Sequence, residues 1–341
     1  MRTALNQGFL LDLGGGDLED PPSFIKKHFL SRLDDYPSKG KEEDRKKRHK
    51  IAQAVLSHPH HDHIASCGCL REDDFYPVLL TCPHDKEPPD RETDERLNWT
   101  RFEASKAHDA YRALYKPRKL PLQTIEFDSS RTVPNLEYGV YYVRPPICDN
   151  LHPKDDTKYG NSTSIALYFR QGKHSILFPG DLTPEAMSRI LDEKDGAEKR
   201  FTRFVRNHNG GSEDWHRRTG NQPSLESLLQ EHGLTILVAP HHGLESCFSD
   251  ELYAAIGGGK PRLVVLSERR KKHDGDGSTH AKYQCSDGAS GLRIWIEGKE
   301  EKRFSVSTKN GHHILAVFDG SGRPAVYASK KPEELLEIAA P

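Results

Sequence analysis

Ser57-His58-Pro59-His60-His61-Asp62-His63-Ile64 is the stretch on which the reading of this chain turns. It follows Ile51 to Leu56, an apolar run that reads as a short strand. Written as a pattern, it is H-x-H-x-D-H. A metal site needs several lone-pair donors converging within ~2.0–2.2 Å of a cation. A strand end followed by a tight turn achieves this with little chain. His58 and His60, two apart, point the same way while the backbone is extended. Asp62 and His63, in the turn or helix start that follows, then point toward a second cation close by. Neutral imidazole and carboxylate suit zinc, and also manganese or iron(II). Cys67 and Cys69 lie just beyond and read as small packing residues, because the donor set is already full.

Two further strand ends carry matching chemistry. Ser175-Ile176-Leu177-Phe178-Pro179-Gly180-Asp181 places a carboxylate at the end of an apolar strand, just after a glycine. Ile236-Leu237-Val238-Ala239-Pro240-His241-His242-Gly243 places a histidine pair at another. Between and around them, strands are expected near 9–13, 78–80, 123–127, 139–143, 163–169 and 262–266. Three short β segments follow near 292–297, 303–307 and 313–318. Helices are expected near 21–34, 182–191, 224–230, 252–256 and 332–339, with a helical insertion over 84–118 and a polar loop over 194–222. Strands alternate with helices and end in polar clusters, which is a layered α/β pattern with its chemistry at one sheet edge.

The composition fits that picture. The chain has 341 residues, enough for about two domains of ~150 residues or one large domain with insertions. Its mean hydropathy of -0.77 is low, so long polar insertions around an ordinary core are expected. With 50 Lys+Arg against 51 Asp+Glu, a globally basic nucleic-acid clamp is excluded. Local basic stripes are not: Arg45 to Lys50, Arg200/Arg203/Arg206, Arg217-Arg218 and Arg269 to Lys272 are candidates. No apolar run approaches the ~18 residues of a membrane span, so no membrane association is expected. Six scattered cysteines point to a reduced, cytoplasmic protein rather than a disulfide framework. Nineteen histidines are many for this length, and histidine is the commonest metal ligand.

Taken together in this order, the three motifs resemble the metallo-β-lactamase superfamily, over roughly residues 8–318. Asn161-Ser162-Thr163-Ser164-Ile165-Ala166-Leu167, Pro179-Gly180-Asp181 and Pro240-His241-His242-Gly243 are similar to the hydrolase domain of the ComEC-type competence proteins. The resemblance implies a four-layer αββα sandwich as a single domain over 1–341, and two divalent cations, zinc or manganese. His58 and His60 would hold the first, Asp62 and His63 the second, with Asp181 bridging and His242 as the last ligand. His241 would contact substrate or back a ligand, and Asp12 would sit beneath the site. Asn161 stands where many members have another histidine, so the first cation would lack that ligand or take His152 or Asp156. His280, in Ser278-Thr279-His280-Ala281, is the counterpart of a histidine that binds phosphate or protonates a leaving group.

The expected activity is a metal-dependent hydrolase, first of all a phosphodiesterase or nuclease, with Asp62, His242 and His280 in catalytic roles. Nucleic acid or another phosphodiester is then the expected partner. A small-molecule hydrolase acting on a lactone, thioester or cyclic nucleotide is the alternative. So is a non-catalytic metal-binding regulatory protein whose insertions contact a partner protein.

Overall fold

Three short, mostly apolar runs make the first sheet. The computed structural model describes residues 8–14, 20–33, 50–72, 75, 77, 79–83, 136–204, 215–216, 222–268, 277–318 and 322–338. The expected insertion at 84–118, the strand at 123–127 and most of the basic clusters lie outside the described residues. The chain divides into two compact units, the first comprising 1–134, 144–165 and 206–215, the second 135–143, 166–205 and 216–341.

In the first unit, β1 (Gly8–Leu11), β2 (Ile51–Val55) and β3 (Leu79–Thr81) form a parallel sheet in the order β1-β2-β3. A parallel sheet is covered on both faces, which suits the mostly apolar character of β2. Ile51, Ala54, Val55 and Leu56 are all buried. Gln53 is the polar exception, and its side-chain amide donates to Thr81 Oγ1 at 2.6 Å. The helix Pro21–His28 opens at Asp20, whose carboxylate accepts from Ser23 N at 3.0 Å. Pro21 and Pro22 cost nothing at its first turn, where backbone N–H groups have no partner within the helix. Ile25, Phe29, Leu30 and Leu33 pack into a core with Leu13, Ile64, Cys67, Cys69, Leu70 and Phe75.

Cys67 and Cys69 therefore pack, as the sequence suggests. Burial raises the Cys69 thiol from its ordinary value of 9.0 to about 12, and raises Cys67 further. Cys285 alone among the six is not buried. Ellman's reagent at pH 8 is expected to label Cys285 first and to reach the others only on unfolding. Because the folded pKa values lie above the unfolded ones, the thiol contribution to stability is complete below pH 9.0 and declines as pH rises toward 12. A urea midpoint that stays level from pH 8 to 11 would contradict this.

Two short helices of this unit, Pro145–Leu151 and Asp156–Ser162, have no counterpart in the sequence reading. The second takes in Asn161 and Ser162, just ahead of the strand expected from Thr163. Asp155 caps it by accepting from Lys158 N at 2.9 Å.

The second unit carries β4 (Leu136–Val143), β5 (Ala166–Gln171), β6 (His174–Phe178), β7 (Ala197–Phe204), β8 (Trp215–His216), β9 (Ile236–Val238), β10 (Leu263–Leu266) and β13 (Ser305–Ser307). They form one mixed sheet in the order β13-β10-β9-β6-β5-β4-β7-β8. β7 corrects the expectation of a polar loop over 194–222. It pairs antiparallel with β4 from Glu137↔Arg203 to Val143↔Ala197. Ala-Glu-Lys-Arg-Phe-Thr-Arg-Phe is too charged to read as a strand alone, and the neighbouring strand supplies the ladder that decides it. A smaller sheet joins β11 (Leu292–Ile296), β12 (Lys299–Arg303), β14 (His313–Val317) and β15 (Ala325–Ser329) in the order β12-β11-β15-β14. Helices Pro184–Leu191, Leu225–His232 and Asp250–Ala255 begin at Thr183, Ser224 and Ser249, whose side chains each accept from a backbone N–H three residues on. Pro332–Ile338 closes the chain as a helix, as read.

The protein is thus of mixed α/β class. Among the described residues, no helix is long and apolar enough to cross a membrane.

Candidate metal centre

The first unit assembles its donors where β2 ends. His58 to His60 continue the extended chain, and His61–Ile64 form a single helical turn. That change of backbone sends His58 and His60 to one side and gives Asp62 and His63 a separate origin, as the spacing requires. His58 is fully buried, and Nε2 of His58 faces Nδ1 of His60 at 3.0 Å. Two imidazole nitrogens on one tetrahedral zinc stand about 3.3 Å apart, given Zn–N distances near ~2.05 Å. The His58 ring also packs against those of His60 and His63, with centroids 4.5 and 4.1 Å away. His61 is exposed and takes no part.

Asp12 organises this group from beneath. It follows β1 with φ 56, a left-handed conformation that aspartate tolerates better than most residues. One carboxylate oxygen accepts from Ser57 N at 2.6 Å; the other accepts from Ser57 Oγ at 2.8 Å and meets His63 Nδ1 at 2.8 Å. Ser57 Oγ in turn lies 3.1 Å from His58 Nδ1. A carboxylate is an acceptor only, so His63 carries its proton on Nδ1. Having given its own proton to Asp12, the Ser57 hydroxyl accepts that of His58 Nδ1. Both histidines are thereby set with lone pairs on Nε2, the form that binds a cation.

Gly14 fixes the distance between these segments. Leu13 N donates to His63 O at 2.8 Å and Ser66 N to Leu13 O at 2.7 Å. A Cβ at Gly14 would come within 1.6 Å of Asp62 O. Gly14→Ala must push the Asp62 turn away, an overpacking cost of about 3 kcal/mol. Thermal unfolding followed by circular dichroism is expected to shift down by about 6–12 °C.

The last turn of the helix Asp156–Ser162 brings Asn161 into the same unit, 3% exposed. The chain just after it is tied to the motif, since Ile165 N donates to Ser57 O at 2.9 Å. His152 and Asp156 belong to this unit too, at the end of one short helix and the start of the next.

In the second unit, β6 runs into Pro179-Gly180-Asp181. Gly180 takes φ 60, turning the chain so that Asp181 ends 3% exposed. His241 N donates to Gly180 O at 3.1 Å, joining the two strand ends. Nε2 of His241 stands 3.6 Å from an Asp181 oxygen, while its Nδ1 lies 3.2 Å from Cys247 Sγ. His241 is thus a near neighbour of the Asp181 carboxylate. His241, His242 and Gly243 occupy three successive left-handed positions, with φ of 45, 59 and 86. His242 Nδ1 donates to Ser267 O at 2.7 Å, which again leaves the lone pair on Nε2.

His280 lies on a loop pinned to that turn. Its backbone N–H donates to Gly243 O at 2.9 Å, and Glu245 N to Ser278 O at 2.9 Å. Glu268 anchors the loop from below, accepting from Thr279 Oγ1 at 3.1 Å and from Ser307 Oγ at 2.6 Å.

Within each unit, then, the expected residues come together: Asp12, His58, His60, Asp62 and His63 in the first, Asp181, His241, His242 and the His280 loop in the second. Sequence reasoning missed Ser57, Ser267 and Glu268. Ser57 had a signal, since it directly precedes His58. The others are distant in sequence and chemically ordinary.

The chain matches no protein-family model and no curated protein.

Proposed function

We propose that this chain is a metal-dependent hydrolase of phosphodiesters, nucleic acid first among them, built as a metallo-β-lactamase-like αββα sandwich. The observation that carries the reading is the pair of facing nitrogens on His58 and His60, backed by Ser57 and Asp12. The donor chemistry fits divalent zinc or manganese. In this reading His58 and His60 would hold one cation and Asp62 and His63 a second, with Asp181 and His242 as further ligands. Such cations, when bound, supply Lewis acidity and acidify water at neutral pH. The remaining work belongs to the chain's own groups. Asp12 and Ser57 keep His58 and His63 in one tautomer. His241 would place its charge beside the Asp181 carboxylate when protonated, Asp62 would orient the attacking water, and His280 would offer a proton-bearing nitrogen to a phosphate oxygen.

The basic clusters in the polar segments support nucleic acid as substrate. If about six phosphates are contacted, affinity for DNA or RNA falls about 10³-fold between ~50 and ~200 mM salt. The test is incubation of the protein with single- and double-stranded DNA and RNA under manganese, zinc and magnesium, with EDTA as control. Cleavage blocked by EDTA, together with that salt slope, is the expected result. Cleavage confined to lactones, thioesters or cyclic nucleotides would move the assignment to a small-molecule hydrolase. Metal binding with no turnover of any of these would make the chain a non-catalytic metal protein.

A further inference from the structure

We infer that Phe248 is a positioning residue, which fixes the His280 ring so that it presents one hydrogen-bond donor, Nε2–H, for an oxygen of the scissile phosphate. The inference rests on the hydrolase reading for its substrate, and on the second unit alone for its geometry.

The His280 ring lies flat on that of Phe248, with centroids 3.8 Å apart and planes 11° apart. Tyr283 meets both rings obliquely, 5.9 Å from His280 and 5.3 Å from Phe248. Tyr283 is itself fully buried. Lys282 Nζ lies 4.9 Å from the Phe248 centroid and is held 3.1 Å from Asp250 Oδ1. Stacking of this kind restricts the ring plane.

The backbone selects the tautomer. Lys282 N donates to His280 Nδ1 at 3.3 Å, capping the short turn Ala281–Gln284. An uncharged imidazole that accepts at one nitrogen carries its proton on the other. Nε2–H is therefore the donor left for a ligand. The segment that supplies the stacking platform is the one that follows His242: Gly243 accepts from His280 N, Leu244 bridges to Thr279, and Phe248 comes four residues later. One stretch of chain thus carries a proposed metal ligand and sets the orientation of a donor 38 residues beyond it in sequence. A ring locked as Nε2–H keeps its proton. It stabilises charge on the phosphate oxygen, while the water oxygen bonds to phosphorus, the ester P–O bond breaks, and a water proton ends on the departing oxygen.

Two measurements test this. In histidine-15N-labelled protein, with His280→Asn used for assignment, His280 is expected as the Nε2–H tautomer, becoming a mixture in Phe248→Ala. With bis(p-nitrophenyl) phosphate under manganese, His280→Ala is expected to lower kcat about 100-fold, the loss typical for one preorganised donor. Phe248→Ala should lower kcat about 10-fold with KM within about twofold, and Phe248→Tyr should recover most of the rate. Phe248→Leu keeps much of the volume and replaces the alanine variant if that one unfolds. In the His280→Ala background, Phe248→Ala should cost nothing more, because the two act as one unit. A wild-type His280 in the Nδ1–H form, or additive losses in the double variant, would overturn the inference. No turnover by the wild type would refute the hydrolase reading, and the tautomer would still decide the positioning role.

Discussion

His60→Ala is expected to abolish phosphodiester hydrolysis, lowering the rate by at least about 10³-fold, while the far-ultraviolet circular dichroism and thermal midpoint stay near those of the wild type. His60 is the right residue to remove because of where it stands. It is half-buried, it caps the start of the single turn His61–Ile64 through its backbone alone, and its ring meets His58 through Nδ1. Truncation at Cβ leaves those backbone bonds in place. What it removes is one of two nitrogens in the pair. The companion measurement is metal content by elemental analysis, which should fall by about one equivalent per chain. Full activity in purified His60→Ala protein would sink the assignment.

Asp12→Asn is expected to fold yet lose metal affinity by about 10–100-fold, measured by competition with a chromophoric chelator. The two side chains have nearly the same shape, so Ser57 N keeps its acceptor. The change lies at Ser57 Oγ and His63 Nδ1, which both meet Asp12 Oδ2. An amide nitrogen placed where Asp12 Oδ2 now meets His63 Nδ1 is a donor, and it forces that nitrogen to accept. The proton moves to Nε2, where the lone pair is needed. Asp12→Ala goes further. It removes the acceptor for Ser57 N, Ser57 Oγ and His63 together, and it places alanine at φ 56. Charged hydrogen bonds are worth about 1.5–3 kcal/mol each, so a loss of about 3 kcal/mol or more is expected, or about 6–12 °C in Tm. If Asp12→Asn binds metal like the wild type, the tautomer argument is wrong.

The sequence made the donors legible because their chemistry is local. H-x-H-x-D-H after an apolar run fixes an extended segment and then a turn, and His58 to His63 adopt both. Strand ends at Asp181 and His242 were readable for the same reason. What stayed hidden is whatever depends on partners far along the chain. β7 is a strand because β4 lies beside it, although Glu198, Lys199 and Arg200 argue for a loop. The helix Asp156–Ser162 starts at a cap, Asp155, in a polar segment with no apolar periodicity to signal it. Phe248 carries no signal at all, since its role is created by a loop 32 residues away. Ser57 was visible yet mute: a serine beside a histidine means little until Asp12 is known to lie beneath both.

The three left-handed residues at the end of β9 also bear on how this site can change over generations of sequence drift. Histidine visits that conformation more readily than most residues, and β-branched side chains hardly at all. A variant at His241 or His242 is thus screened twice, first by the backbone and only then by chemistry. Asparagine, aspartate and glycine pass the first screen, and of these only aspartate brings a strong cation ligand. At Gly243 a Cβ would also meet Leu266 Cδ2 at 2.5 Å, so even those replacements are crowded out. Under the proposed metal-binding reading, adaptation to a different cation is therefore steered toward the 58–63 segment, whose backbone imposes no such filter.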